Sequence, residues 1–371
     1  MSPASERAGA VLSVDLAAIR ANWRILQNQR VTPGHTAAVV KADAYGLGAA
    51  RVAPALLAEG CRRFFVATLD EALAIRPLLS GADLAVLAGP FPGGEAEFLA
   101  NDIIPVLNSP EQVFAWAAFA HKRSQRLPAF LHVDTGMTRL GLTQSQAEEL
   151  AADRNTLASI DLKLVMTHLA CADEPSHALN RRQVQRFQAA RALFPGIAGS
   201  MAASSGVFLG PDWHAEWNRP GYALYGGNPL SGQPNPMRQV VRLQGKIIQV
   251  RDVDAGEPVG YGATHVCAAP TRLAVVAAGY ADGLFRALGN RGCGTVGGQR
   301  VPLVGRVSMD LTIFDVGAVP VDLVRPGGVV ELIGPGNDID AVGAAAGTIG
   351  YEVLTSLSAR YHRDYLEGAG S

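Results

Sequence analysis

Over the first two-thirds of the chain, short apolar runs alternate with stretches whose apolar residues recur at helical spacing. The runs are residues 37–41, 64–68, 84–88, 104–108, 130–134, 162–168, 197–204 and 222–225. Each is four to eight residues long, the length of a buried strand. The amphipathic stretches between them include 110–122, 143–155 and 180–194. Ser109 is a natural N-cap for the first of these, and Pro110 suits its opening turn. In the last, Val184, Phe187 and Ala190 fall on one face. Repeated β/α units of this kind predict a closed (β/α)8 barrel of the TIM type. An open, doubly wound sheet is the alternative for the same pattern.

The texture changes near Pro234 and Pro236, and beyond Val240 the runs are short and broken by Gly and Pro. Residues 240–250, 273–278, 301–303, 312–316 and 329–333 read as strands of an all-β unit, with a late helix after Asp340. The expected fold is therefore α/β. A (β/α)8 barrel over 1–238 is followed by a C-terminal mainly-β domain over 239–371.

The 371 residues are enough for both domains. With 48% hydrophobic and 18% charged residues, a large core in a soluble protein is expected. A net charge of −1 creates no general field to attract nucleic acid or an anionic membrane. No run reaches the length of a membrane span, and Met1–Ala10 has no apolar signal segment. Cys61, Cys171, Cys267 and Cys293 are too dispersed for a zinc site or a disulfide framework. A cytoplasmic location and no metal are expected.

The candidate chemistry lies where predicted strands end. Ala37-Ala38-Val39-Val40-Lys41-Ala42-Asp43-Ala44-Tyr45-Gly46 delivers a lysine at a strand's C-terminal end, the active-site side of such a barrel. Apolar neighbours favour its neutral amine, which can attack a carbonyl and form an imine. A strand-end lysine pointing to solvent is the bland reading. His132-Val133-Asp134-Thr135-Gly136-Met137-Thr138-Arg139 supplies a guanidinium able to grip a carboxylate, or a surface arginine on a loop. His168 ends another run. Ser204 follows a further one, where a hydroxyl and exposed N–H groups suit phosphate or simply cap a helix. Arg219, Gly221 and Tyr222 fall just before or within the eighth predicted strand, near the usual phosphate position of these barrels. In the β domain, Tyr261, Tyr280 and Tyr351 sit in glycine-flanked segments, and Met309 lies in another candidate loop. Dinucleotide, Walker-type, zinc-protease and hydrolase-elbow motifs are all missing from the sequence.

Taken in order, these segments closely resemble alanine racemase, a fold-type III pyridoxal-phosphate enzyme, from about Val11 to Tyr365. The resemblance implies interconversion of L- and D-alanine, for peptidoglycan supply or alanine catabolism, in a homodimer whose sites are shared between subunits. It implies pyridoxal 5′-phosphate carried on Lys41, with Tyr261 of the other subunit as the second acid/base. Arg219 would bond the pyridine nitrogen. Tyr45, Ser204, Gly221, Tyr222 and Tyr351 would surround the phosphate. His168 would support Arg219 and Tyr261. Arg139 and the Met309 amide would meet the substrate carboxylate. Asp173, Tyr280, Arg286 and Arg306 would line the entrance.

Two positions depart from the family pattern. His132 stands where many members have a carbamylated lysine bracing the arginine, so His132 or a bound anion is expected to brace Arg139. Ala203 stands where asparagine is common. A broad-specificity racemase of the same fold is opposed by Tyr351 and the missing signal segment. A barrel-type decarboxylase would lack the Gly-Tyr-Gly-Ala base, and a non-catalytic cofactor-binding barrel would lack the β domain.

Overall fold

The computed structural model describes residues 3–30 and 34–368. Its first layer is a parallel sheet that nearly closes on itself. Strands Ala38–Val39, Arg63–Val66, Asp83–Val86, Ile104–Leu107, Leu127–His132, Ile160–Met166, Ala198–Ser200, Trp217–Asn218 and His35–Thr36 follow one another around it. Only Ala37 separates the first of these from the last, so one bent segment pairs with Phe64 on one side and Trp217 on the other. These strands are short because both faces are covered, the interior by Phe65 and Phe130 among others, the exterior by helices.

The helices start where sequence chemistry starts them. Ser109 caps Pro110–Lys122 by accepting the Gln112 N–H, and Thr143 and Gln146 form a reciprocal capping box. The eighth strand differs from expectation. Residues 222–225 are a buried 3-10 turn, and Trp217–Asn218 is the strand that closes the barrel. Pro220 has no N–H to continue a ladder. Arg219 and Gly221 therefore follow a strand end rather than precede one.

The second layer is an eight-stranded, mostly antiparallel sheet. It contains Val241–Val253, Thr271–Val276, Gln299–Pro302, Thr312–Asp315 and Val329–Ile333, near the expected runs. It also contains Cys293–Val296, His362–Leu366 and, from the other end of the chain, Ala10–Asp15. That early strand lies between Val241–Val253, antiparallel, and His362–Leu366, parallel. Helices Ile339–Ala346 and Gly350–Ser356 realise the expected late helix, and the second contacts the turn after Lys41. Leu12 and Val14 are fully buried in this strand, next to the edge strand His362–Leu366. Leu12→Ala is expected to cost about 2–5 kcal/mol, read by urea denaturation. A loss below about 1 kcal/mol would show that the strand is dispensable.

Candidate active site

Lys41 stands two residues past Ala38–Val39, at the barrel's C-terminal rim. From Ala42 through Tyr45 the backbone turns left-handed, with φ of 51, 54, 55 and 56°. L-residues resist that hand by roughly 1–2 kcal/mol each, so the turn has to be held. The Ala44 N–H donates to the Val40 carbonyl at 2.9 Å. Glu71 accepts from the Ala42 N–H at 2.8 Å, and Asp43 accepts from the Ala49 N–H at 2.7 Å. The reversed turn seats Tyr45 in the barrel mouth, 4.8 Å from the Tyr225 ring and 6.1 Å from Tyr351. A Cβ at Gly221 would lie 2.3 Å from the Tyr45 hydroxyl, so glycine is a space requirement there.

Lys41, Tyr45, Arg139, His132, His168, Ser204, Arg219, Gly221, Tyr222 and Tyr351 all line one cavity of about 670 Å³. A second hollow, sharing His168, Ser204, Tyr222 and Tyr351 with it, reaches Asp173. Burial, then the Arg139 charge, lowers the Lys41 pKa, against the pull of Glu71. The buried Arg219 donates to the Ser200 hydroxyl and to the Thr167 carbonyl at 2.6 Å. Among the described residues no carboxylate pairs with it, and burial pulls its pKa to about 10. Its charge adds to burial in holding His168 down to about 3 and His132 to about 4.

One end of the cavity offers donors. Ser204 Oγ accepts from the Gly221 N–H at 3.2 Å and the Ala223 N–H at 3.1 Å, which leaves its own proton to give. The Tyr222 N–H and the Tyr45 and Tyr351 hydroxyls have no hydrogen-bond partner among the described residues. The Tyr222 hydroxyl is committed elsewhere, donating to Asp340 at 2.5 Å. Tyr222 can therefore offer an anion its backbone but not its phenol. A phosphate group fits such a set, and an amine-reactive carbonyl fits Lys41.

Asp134 organises the arginine loop by accepting the N–H groups of Gly136 and Met137 at 2.9 Å and of Thr138 at 3.1 Å. Arg139, exposed at its end, makes no hydrogen bond among the described residues. Of the two expected braces, His132 or a bound anion, His132 makes no hydrogen bond to Arg139 among the described residues, and its Nδ1 meets Asn108 Oδ1 at 2.8 Å. The Asn108 amide nitrogen donates to the Leu87 and Val106 carbonyls, both at 2.9 Å, so its oxygen must accept. His132 thus carries its proton on Nδ1 and keeps Nε2 as an acceptor. Asn108, Glu71 and Asp340 were missed in the sequence reading. Only Glu71 had a local signal, the Thr68-x-x-Glu71 capping box.

Tyr261 and Met309 do not line this cavity in their own chain. They are 71% and 54% exposed, on an outer face of the β domain. The Arg306 guanidinium lies beside Gly262, the Tyr280 N–H donates to the Ser308 carbonyl, and Arg286 abuts Gly289 next to Gly305. One contiguous surface therefore gathers Tyr261, Tyr280, Arg286, Arg306 and Met309. Among the described residues there is no cluster suited to a metal, and no helix is long and apolar enough to cross a membrane.

The two histidines give a pH prediction. Their folded pKa values lie below the unfolded value of about 6.5, so the unfolded chain binds more protons as pH falls from there toward 4. Stability is complete above about pH 6.5 and declines below it. His132→Gln should reduce the decline between pH 7 and pH 5 by about 1–2 kcal/mol in urea unfolding. An identical decline in the variant would mean that His132 is not held neutral.

Family models of the alanine racemase N-terminal and C-terminal domains match residues 14–229 and 240–365. An alanine racemase of Rhodospirillum rubrum is 55% identical over 98% of this chain and 99% of its own. A catabolic alanine racemase of Mesorhizobium japonicum is 48% identical, over 99% and 96%. The crystal structure of alanine racemase from Bartonella henselae with covalently bound pyridoxal phosphate superposes with a TM-score of 0.93. It is 39% identical and covers 97% of this chain and 100% of its own. With both domain models matched and relatives of this identity aligned over nearly the whole chain, the chain belongs to the alanine racemase family.

Proposed function

We propose that this racemase works with pyridoxal 5′-phosphate and two bases on opposite faces of alanine, Lys41 from one subunit and Tyr261 from its partner. One observation carries the reading: a lysine of lowered pKa shares a cavity with a buried, unpaired arginine and a cluster of unpartnered donors. When bound, the cofactor supplies conjugation that weakens the bond from the substrate's α-carbon to hydrogen. Lys41 holds it through its amine. Ser204, Tyr45, Tyr351 and the Tyr222 N–H would hold its phosphate, with Gly221 leaving the space beside them and anchoring Ser204. Arg219 would hold its ring nitrogen and, having no acceptor and a tenacious proton, would leave that nitrogen unprotonated.

Racemisation requires a proton to leave one face and another to return on the opposite one. The Lys41 amine, favoured by its desolvated setting, serves one face. Tyr261 serves the other. Because its own cavity is out of its reach, a second copy of the chain must deliver it, together with the Met309 N–H for the substrate carboxylate. Arg139 meets that carboxylate from the barrel side, and neutral His168 supports Arg219 and Tyr261 without competing for the anion. Asp173, Tyr280, Arg286 and Arg306 line the approach. All four cysteines are free thiols, which fits a cytoplasmic enzyme. The same reversible chemistry serves D-alanine supply for peptidoglycan and alanine breakdown.

Purified protein given L-alanine should form D-alanine. A visible imine absorbance without racemisation would favour cofactor binding alone. Tyr261→Phe should keep that absorbance but slow α-hydrogen exchange with solvent from one alanine enantiomer by about 10²-fold or more. Equal slowing from both enantiomers, or lost absorbance, would count against a face-specific role. Arg219→Glu should raise transamination by-products by restoring a protonated ring nitrogen. An unchanged product profile would refute that role.

A further inference from the structure

Four tyrosine rings form a row across the barrel mouth: Tyr225, Tyr45, Tyr351 and Tyr222. Three of them are placed by the barrel, and Tyr351 comes from the helix Gly350–Ser356. Its ring lies 3.8 Å from the Tyr222 ring at an interplanar angle of 12°, a close stack. The Tyr351 hydroxyl has no hydrogen-bond partner among the described residues, so packing alone sets the position of the ring. That position is therefore inherited from Tyr222.

Tyr222 has little freedom. Its hydroxyl donates to one oxygen of Asp340 at 2.5 Å, and the other oxygen accepts the Asn228 N–H at 2.9 Å. A Cβ at Gly227 would lie 2.1 Å from the ring, and one at Gly350 would lie 1.8 Å from the hydroxyl. Asp340 sits on the helix Ile339–Ala346, which leads through Gly347 toward the helix bearing Tyr351. The carboxylate thus ties this helix pair to the turn that follows the barrel's closing strand.

We propose that Tyr222 and Asp340 are positioning residues that fix the Tyr351 ring and so set the room available to the substrate's side chain. Neither needs to touch the substrate. Tyr222 holds the ring by its face, and Asp340 holds Tyr222 by its hydroxyl. The inference rests on the proposed function and adds to it that Tyr351, which lines the cavity with Lys41, borders the substrate's side chain.

The test compares holoenzymes by kcat/KM for serine relative to alanine, with visible cofactor absorbance as a control. Tyr351→Asn should raise the serine-to-alanine ratio. Tyr222→Leu, which removes the stack, should raise it about tenfold. Asp340→Ala should raise it less. Asp340→Asn, whose single amide oxygen can accept from only one of the two donors, should fall between wild type and Asp340→Ala, and cofactor absorbance should be retained in Tyr222→Phe and both Asp340 variants. Tyr222→Phe keeps the ring and loses the hydroxyl, so it should match Asp340→Ala, and the two together should add nothing further. This pair decides the matter if Tyr222→Leu fails to fold. A ratio moved by Tyr351→Asn but by neither Tyr222→Phe nor Asp340→Ala would overturn the positioning pair and leave the proposed function standing. A ratio unmoved by Tyr351→Asn would overturn the side-chain role given to Tyr351 and the positioning pair with it, whereas failure of the proposed function would show as no D-alanine formed.

Discussion

The cavity is organised around a positive charge buried without a carboxylate. Arg219 is 3% exposed, and its two identified partners, the Ser200 hydroxyl and the Thr167 carbonyl, are neutral. Removing such a charge from water costs several kcal/mol unless something offsets it. Within the barrel only dipoles do so, and the favourable remainder falls to whatever anion the cavity takes. Burial, reinforced by the same charge, keeps the nearby imidazoles neutral, so the cavity does not accumulate further cations at ordinary pH. Electrostatics at this rim selects for an anionic, planar, acceptor-bearing guest.

Geometry around that charge is bought with backbone strain. Four left-handed residues after Lys41 are costly together, and they are kept by Glu71, Asp43 and the Val40 carbonyl. The return is that Lys41 and Tyr45, four positions apart, both face the same cavity. Asp134 does comparable work for Arg139 by gathering three successive amides. In both cases a carboxylate serves to hold a loop.

Much of this was legible in the sequence, and the remainder has physical reasons for being hidden. Lys41, Arg139 and Ser204 lie at or just beyond the ends of apolar runs, and in a parallel barrel such ends converge on one rim, where Arg219 joins them from the two-residue strand Trp217–Asn218 that the pattern does not reveal. The strand at 222–225 was misread because a buried 3-10 turn and a buried strand are both short and apolar. The left-handed turn gave no sign, because Ala42, Asp43, Ala44 and Tyr45 lack the glycine that usually marks that hand. His132 was identified as a departure, but its tautomer depends on Asn108, whose orientation depends on two carbonyls in other segments. The Tyr222–Asp340 bond spans 118 positions and has no local trace.

The early strand Ala10–Asp15 has a consequence for how the molecule is made. One of its neighbours, His362–Leu366, is translated roughly 350 residues later, about 20–70 s at ordinary ribosomal speed. Until then Leu12 and Val14 lack a finished sheet, although the barrel staves between them can already assemble. The nascent protein must therefore carry a sticky leading ribbon through most of its synthesis. Its exposure to chaperones or to self-association is set by how fast its two neighbouring strands leave the exit tunnel.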